Sequence, residues 1–114
     1  MSRTAFKILS VDDWLDWRAT GSFAGSAVDL ADGYIHLSTE PQVSETARRH
    51  YAGRPDLMLI EVDLGRVEGL RWEPSRGGDL FPHLYAPLSI GAVVGVRTLS
   101  VAADGAVTLE GPAA

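Results

Sequence analysis

Asp32-Gly33-Tyr34-Ile35-His36-Leu37-Ser38-Thr39 packs a turn, a strand and a helix start into one short run, and the reading of the whole chain turns on it. Gly33 relieves the turn. The alternation sets Ile35 and Leu37 on one face and Tyr34 and His36 on the other, and Ser38 or Thr39 supplies an N-cap for a following helix. An imidazole and two hydroxyls thus arrive beside the unpaired amides of a helix start, which favour negative charge. The expectation is a phosphate-bearing ligand at this place.

Upstream, residues 5–9 read as a first strand, and Ser10 followed by Asp13 caps a short helix that Gly21 ends. Trp14 and Trp17 share a face of that helix and read as core packing. Residues 21–31 are rich in Gly, Ser and Ala and read as a loop able to cover a ligand. Downstream, a second helix starts near Thr39, with Pro41 in its first turn and Gly53 as its stop. Leu57–Asp63 is the strongest strand, and its apolar beginning places it centrally. Residues 70–73 form a short strand and 74–79 a turn, while 81–88, with prolines near both ends, form an extended or irregular wall. Residues 92–99 read as a buried strand, which an Asp104-Gly105 hairpin joins to a terminal strand. Two early helices among strands clustered late give an α+β fold with a mainly antiparallel sheet. The expected organisation is a single domain over 1–110 and a flexible tail over 111–114.

The 114 residues suffice for one domain that buries roughly two-thirds of its unfolded surface. A 46% apolar and 22% charged composition is that of a soluble globular protein, and no apolar run reaches the length of a membrane span. The Met1-Ser2-Arg3 start lacks the apolar stretch of a signal peptide, so the expected location is cytoplasmic. The absence of cysteine excludes disulfides, thiolate nucleophiles and zinc–thiolate sites. A net charge of −5 speaks against gripping long nucleic acid. A small anionic ligand needs only a local basic pocket, for which Arg48, Arg49, Arg54, Arg66, Arg71 and Arg76 are candidates.

The separations of His36, His50 and His83 match no metal-binding motif, so no metal is predicted. His50 sits where a helix end favours a cation, and it is left outside the site. His36 lies with Ser38 and Thr39, and His83 with Phe81 and Tyr85, and such mixed walls suit a flat polar ligand. Each imidazole reads either as a structural hydrogen-bonder or as a donor to a ribose hydroxyl or phosphate. Taken alone, Tyr51 reads as a core aromatic with its hydroxyl at the surface. Glu73 ends a strand beside a glycine-rich turn, either paired with Arg71 or Arg76 or poised to stabilise an oxocarbenium-like centre. Glu61 and Asp63 read as solvent-facing or turn-capping. No nucleophile elbow, P-loop or dinucleotide fingerprint is present.

The run Asp32–Thr39 with Gln42, then Leu70-Arg71-Trp72-Glu73, then Phe81-Pro82-His83-Leu84-Tyr85-Ala86-Pro87-Leu88, resembles the small bacterial domain-of-unknown-function family 952 over nearly the whole chain. That family is grouped by fold with the ADP-ribosyltransferase superfamily, whose members split NAD at the nicotinamide–ribose bond. The resemblance implies a split, strongly curved sheet and a cleft that takes NAD as substrate. It assigns His36 to holding a ribose, Tyr51 to packing on nicotinamide and Glu73 to orienting the nicotinamide ribose, with His36 and Glu73 as the catalytic pair. Ser38, Thr39, Arg71, His83 and Tyr85 complete the expected ligand-binding set. The alternative is a noncatalytic module binding a small nucleotide-like ligand. A third reading, handling a phosphorylated RNA end, sits less well with the acidic balance.

Overall fold

β4 (Leu57–Asp63) forms the middle of the molecule because its side chains are apolar on both faces. Met58, Ile60 and Val62 join one core cluster with Trp14, Trp17 and Leu84, while Leu57 and Leu59 join another with Val43, Ala47 and Leu99. A strand buried on both faces must be flanked on both edges to pair its backbone groups. In the computed structural model, which describes residues 3–112, β1 (Thr4–Ser10) and β8 (Val93–Val101) do so, and β9 (Val107–Pro112) closes the order β1-β4-β8-β9. The chain is thus an α+β domain, and every strand pairing among the described residues is antiparallel. Because β9 runs through Pro112, residues 111–112 of the expected tail belong to a strand, and 113–114 lie outside the described residues.

α1 (Val11–Thr20) begins where expected, with Ser10 Oγ accepting the Asp13 amide at 3.1 Å, and ends at a left-handed Gly21. Trp14 and Trp17 meet edge to face at 5.3 Å, and Trp17 stacks on Phe23 at 5.2 Å, so both indoles are core residues. Asp63 accepts the Gly65 amide and caps a turn, as its position at a strand exit implies.

The expected loop over 21–31 is corrected. It contains β2 (Ser22–Phe23) and a further helix, α2 (Ala27–Asp32), so three helices rather than two precede β4. Asp29 starts α2 by accepting the Ser26 amide at 2.9 Å, and Gly33 ends it at φ 89°, where its N–H reaches the Asp29 carbonyl. Gly33 then leads into β3 (Ile35–His36), after which α3 (Glu40–Tyr51) starts with Thr39 as its N-cap.

Two smaller sheets complete the molecule. β2 pairs with β7 (Leu88–Ser89), and β3 pairs with β6 (Leu80–Leu84), which pairs in turn with β5 (Leu70–Pro74). The segment read as an extended or irregular wall is mostly extended, with β6 and β7 at its two ends. A bridge between Phe6 and Ser38 ties β1 to the chain leaving β3.

Candidate functional site

Antiparallel register sets His36 of β3 directly opposite His83 of β6, so their rings lie 5.8 Å apart. Tyr34 points to the same side as His36, as the alternation predicts. Its ring stacks on His83 at 4.1 Å and leans on His36 at 4.6 Å and Tyr85 at 5.3 Å. Ile35 and Leu37 face the core on the other side. Burial, followed by the charges of Asp32 and Glu73, raises the Tyr34 pKa and keeps its phenol protonated at neutral pH.

Each imidazole donates through Nδ1 to a carboxylate. His36 Nδ1 lies 2.6 Å from Asp29 Oδ1, while its Nε2 lies 2.9 Å from Asp32 Oδ2. His83 Nδ1 lies 2.8 Å from Glu73 Oε1, the same oxygen that accepts the Tyr85 hydroxyl at 2.6 Å. Hydrogen bonds from Tyr85 and then His83 hold the Glu73 pKa below its ordinary value and raise that of Tyr85, so Glu73 is an anion at neutral pH. The Arg71 guanidinium lies over the Tyr85 ring at 5.2 Å, and its charge also favours ionised Glu73.

Behind His36 lies a buried ion pair. Lys7 Nζ donates to Asp29 at 2.8 Å and to the His36 carbonyl at 3.2 Å, and both side chains are almost sealed from water. Burial would raise the Asp29 pKa, but the hydrogen bonds and charges of His36 and Lys7 reverse that and hold it far below the usual carboxylate range. Burial lowers the Lys7 pKa against the opposing pull of Asp29.

These groups open onto a cavity of about 520 Å³. One wall carries Lys7, Asp29, Asp32, Tyr34, His36 and His83; the other, from α3 and the chain beyond it, carries Thr46, His50, Tyr51 and Arg54, with Ser38 between them. A smaller hollow of about 220 Å³ shares Tyr34 and Asp29 and is otherwise mostly apolar, with Tyr85 on its edge. The volume of the larger cavity is that of a small-molecule site.

His36, His83, Ser38 and Tyr51 of the expected set line this cavity, while Glu73 reaches it through His83. Ser38 Oγ donates to Thr46 Oγ1, and the Tyr51 hydroxyl donates to the Ile8 carbonyl at 3.3 Å, so Tyr51 is both wall and brace. Thr39 and Arg71 do not line it: Thr39 caps α3, with its amide donating to Gln42 Oε1, and Arg71 packs on Tyr85. The idea of a phosphate held beside His36 is corrected by the same geometry, because Asp29 and Asp32 surround that ring with negative charge. His50, set aside in the sequence, lines the cavity. Lys7, Asp29, Asp32 and Tyr34 were absent from the expected set; the spacing of Ser26 and Asp29 ahead of Gly33 was the one signal for the short helix that carries two of them.

Fold and cavity together define a small α+β domain whose pocket is walled by imidazoles, phenols and carboxylates. The chain belongs to the family described as "Protein of unknown function (DUF952)", whose model matches residues 8–96. It is similar to the crystal structure of protein CC0527 from Caulobacter crescentus, with 46% identity, a TM-score of 0.86, and coverage of 92% of this chain and 93% of that one. The solution NMR structure of CC0527 is 47% identical over 91% of this chain and 90% of that one, with a TM-score of 0.79. No curated protein matches.

Proposed function

We propose that the domain binds a nucleotide-like ligand of the NAD or ADP-ribose class and cleaves its nicotinamide–ribose bond, as an ADP-ribosyltransferase-like or NAD-glycohydrolase-like enzyme. The observation that carries this reading is Glu73, a carboxylate held ionised and pinned by His83 and Tyr85 beside the Tyr34 stack. Nicotinamide leaves a pyridinium without needing a proton. The electron pair of the ribose C1′–nitrogen bond goes to nitrogen, giving neutral nicotinamide, and positive charge develops at C1′. A fixed anion stabilises that charge in place. An acceptor hydroxyl then attacks C1′ and releases its proton. Chemistry that needs a carboxylic acid with a raised pKa has no candidate in Asp29 or Glu73, whose values are both lowered.

The surroundings of His36 support a sugar rather than a phosphate at that corner. Neighbouring ribose hydroxyls can donate to the Nε2 lone pair and to Asp32, whereas an anion would meet two carboxylates. The anionic part of the ligand is assigned to the wall with Arg54 and His50. The Tyr51 ring, on that wall, offers a face to nicotinamide. Incubation with NAD is expected to release nicotinamide, and Glu73→Ala to abolish the release; equal release by the variant overturns the assignment.

A noncatalytic ligand-binding module is the second reading, favoured by Glu73 standing outside the cavity-lining set. On that reading, ADP-ribose binds in calorimetry, His36→Ala weakens binding, Glu73→Gln leaves affinity unchanged, and no nicotinamide appears.

A further inference from the structure

We infer that Asp29, with its charge balanced by Lys7, is the positioning residue of His36: it fixes Nδ1 as the protonated nitrogen and leaves Nε2 as the edge offered to a ligand. Asp29 is 2% exposed and Lys7 3%. Asp29 Oδ1 receives the His36 amide at 3.0 Å and the His36 ring at 2.6 Å, so one oxygen sets both the backbone and the imidazole of the same residue. Oδ2 receives the Ser26 amide and Lys7. Lys7 spends its donors on the two Asp29 oxygens and the His36 carbonyl, the work of a brace rather than of a nucleophile. An ionised carboxylate can only accept, so the hydrogen between Asp29 and His36 belongs to Nδ1.

The other polar or titratable groups facing the ring are Asp32 from α2, Tyr34 ahead of it and His83 from β6. Asp32 Oδ2 lies 2.9 Å from Nε2, where an Nδ1–H ring offers it no hydrogen, and at 47% exposure its side chain is free to turn away and yield that nitrogen. Gly25 completes the construction. At φ +124° it passes so close that a Cβ there would lie 2.8 Å from Asp29 Cβ. The stretch of sequence that looked like a loop is shaped around this carboxylate.

The inference rests on reading the cavity as a ligand site, yet its first test needs no ligand. Two-dimensional ¹H–¹⁵N spectra of the imidazoles, taken where the His36 ring is neutral, are expected to show hydrogen on Nδ1, against the usual preference for Nε2. Bare Nδ1 overturns the inference. In the Lys7→Met/Asp29→Leu double variant, which removes both charges together, the ring is expected to revert to the Nε2 form and NAD affinity by calorimetry to fall about tenfold or more. A folded double variant that keeps both the Nδ1 form and wild-type affinity also overturns it. Should the variant fail to fold, the wild-type spectrum decides. Absence of NAD binding to the wild type sinks the proposed ligand class and leaves the tautomer result standing by itself.

Discussion

Asp29–His36 and Glu73–His83 are the same chemical pair, a carboxylate accepting from Nδ1 at 2.6 and 2.8 Å, in two opposite settings. In the first the acid is sealed and the imidazole is a third exposed; in the second the acid is a third exposed and the imidazole sealed. The buried member of each pair is the fixed one and the open member is the one a ligand can meet. Under the proposed function, this contrast makes His36 and Glu73 the working groups and Asp29 and His83 the residues that hold them.

The comparison breaks most visibly at Asp29. Asp29→Ala leaves Lys7 charged, buried and unpaired, an expected loss of about 3–5 kcal/mol in urea unfolding. The pH dependence has the same origin. The folded-state pKa of Asp29 is depressed, so its contribution is full above the unfolded carboxylate value and is lost as pH falls through that range toward the folded one. Acid titration followed by circular dichroism should show this loss in the wild type and a flatter response in Asp29→Asn.

At Glu73 the effect should fall on turnover instead: Glu73→Gln is expected to slow nicotinamide release roughly 100-fold while leaving the urea midpoint in place. A large stability loss there would erase the contrast between the two pairs. Next in size comes Gly25→Ala, whose Cβ would crowd Asp29 in a left-handed backbone and should cost about 1–3 kcal/mol by the same unfolding assay. The smallest effect belongs to Tyr85→Phe. Tyr85 is the first cause of the lowered Glu73 pKa, so its removal moves that pKa upward, and the acid limb of a rate profile should shift to higher pH.

Much of the frame was legible because its signals are local. Period and punctuation mark β4, α1 and the Asp104-Gly105 hairpin without reference to anything distant, and Ile35 and Leu37 announce their face by alternation. α2 escaped because its apolar residues point outward: Val28 and Leu30 are 63% and 65% exposed, so no core-facing stripe identifies it. The site divides in the same way. His36, His83 and Glu73 stand in short motifs dense with polar and aromatic side chains. Lys7 sits inside an apolar strand and finds Asp29 22 positions later, and a pair formed across that distance leaves no mark in spacing. Thr39 and Arg71 were drawn in by being near His36 and Glu73 along the chain, a nearness that capping and stacking direct elsewhere.

The pairing of β3 with β6 places a constraint on how the molecule is made. When β3 is synthesised its partner β6 has not yet been added to the chain, and β1 likewise waits for β4. Closing such long intervals is an entropic delay that local helices do not face. A chain that ends before β6 lacks His83 and the strand that sets it opposite His36, so the cavity doubles as a certificate that translation has passed that strand and that its pairing is made.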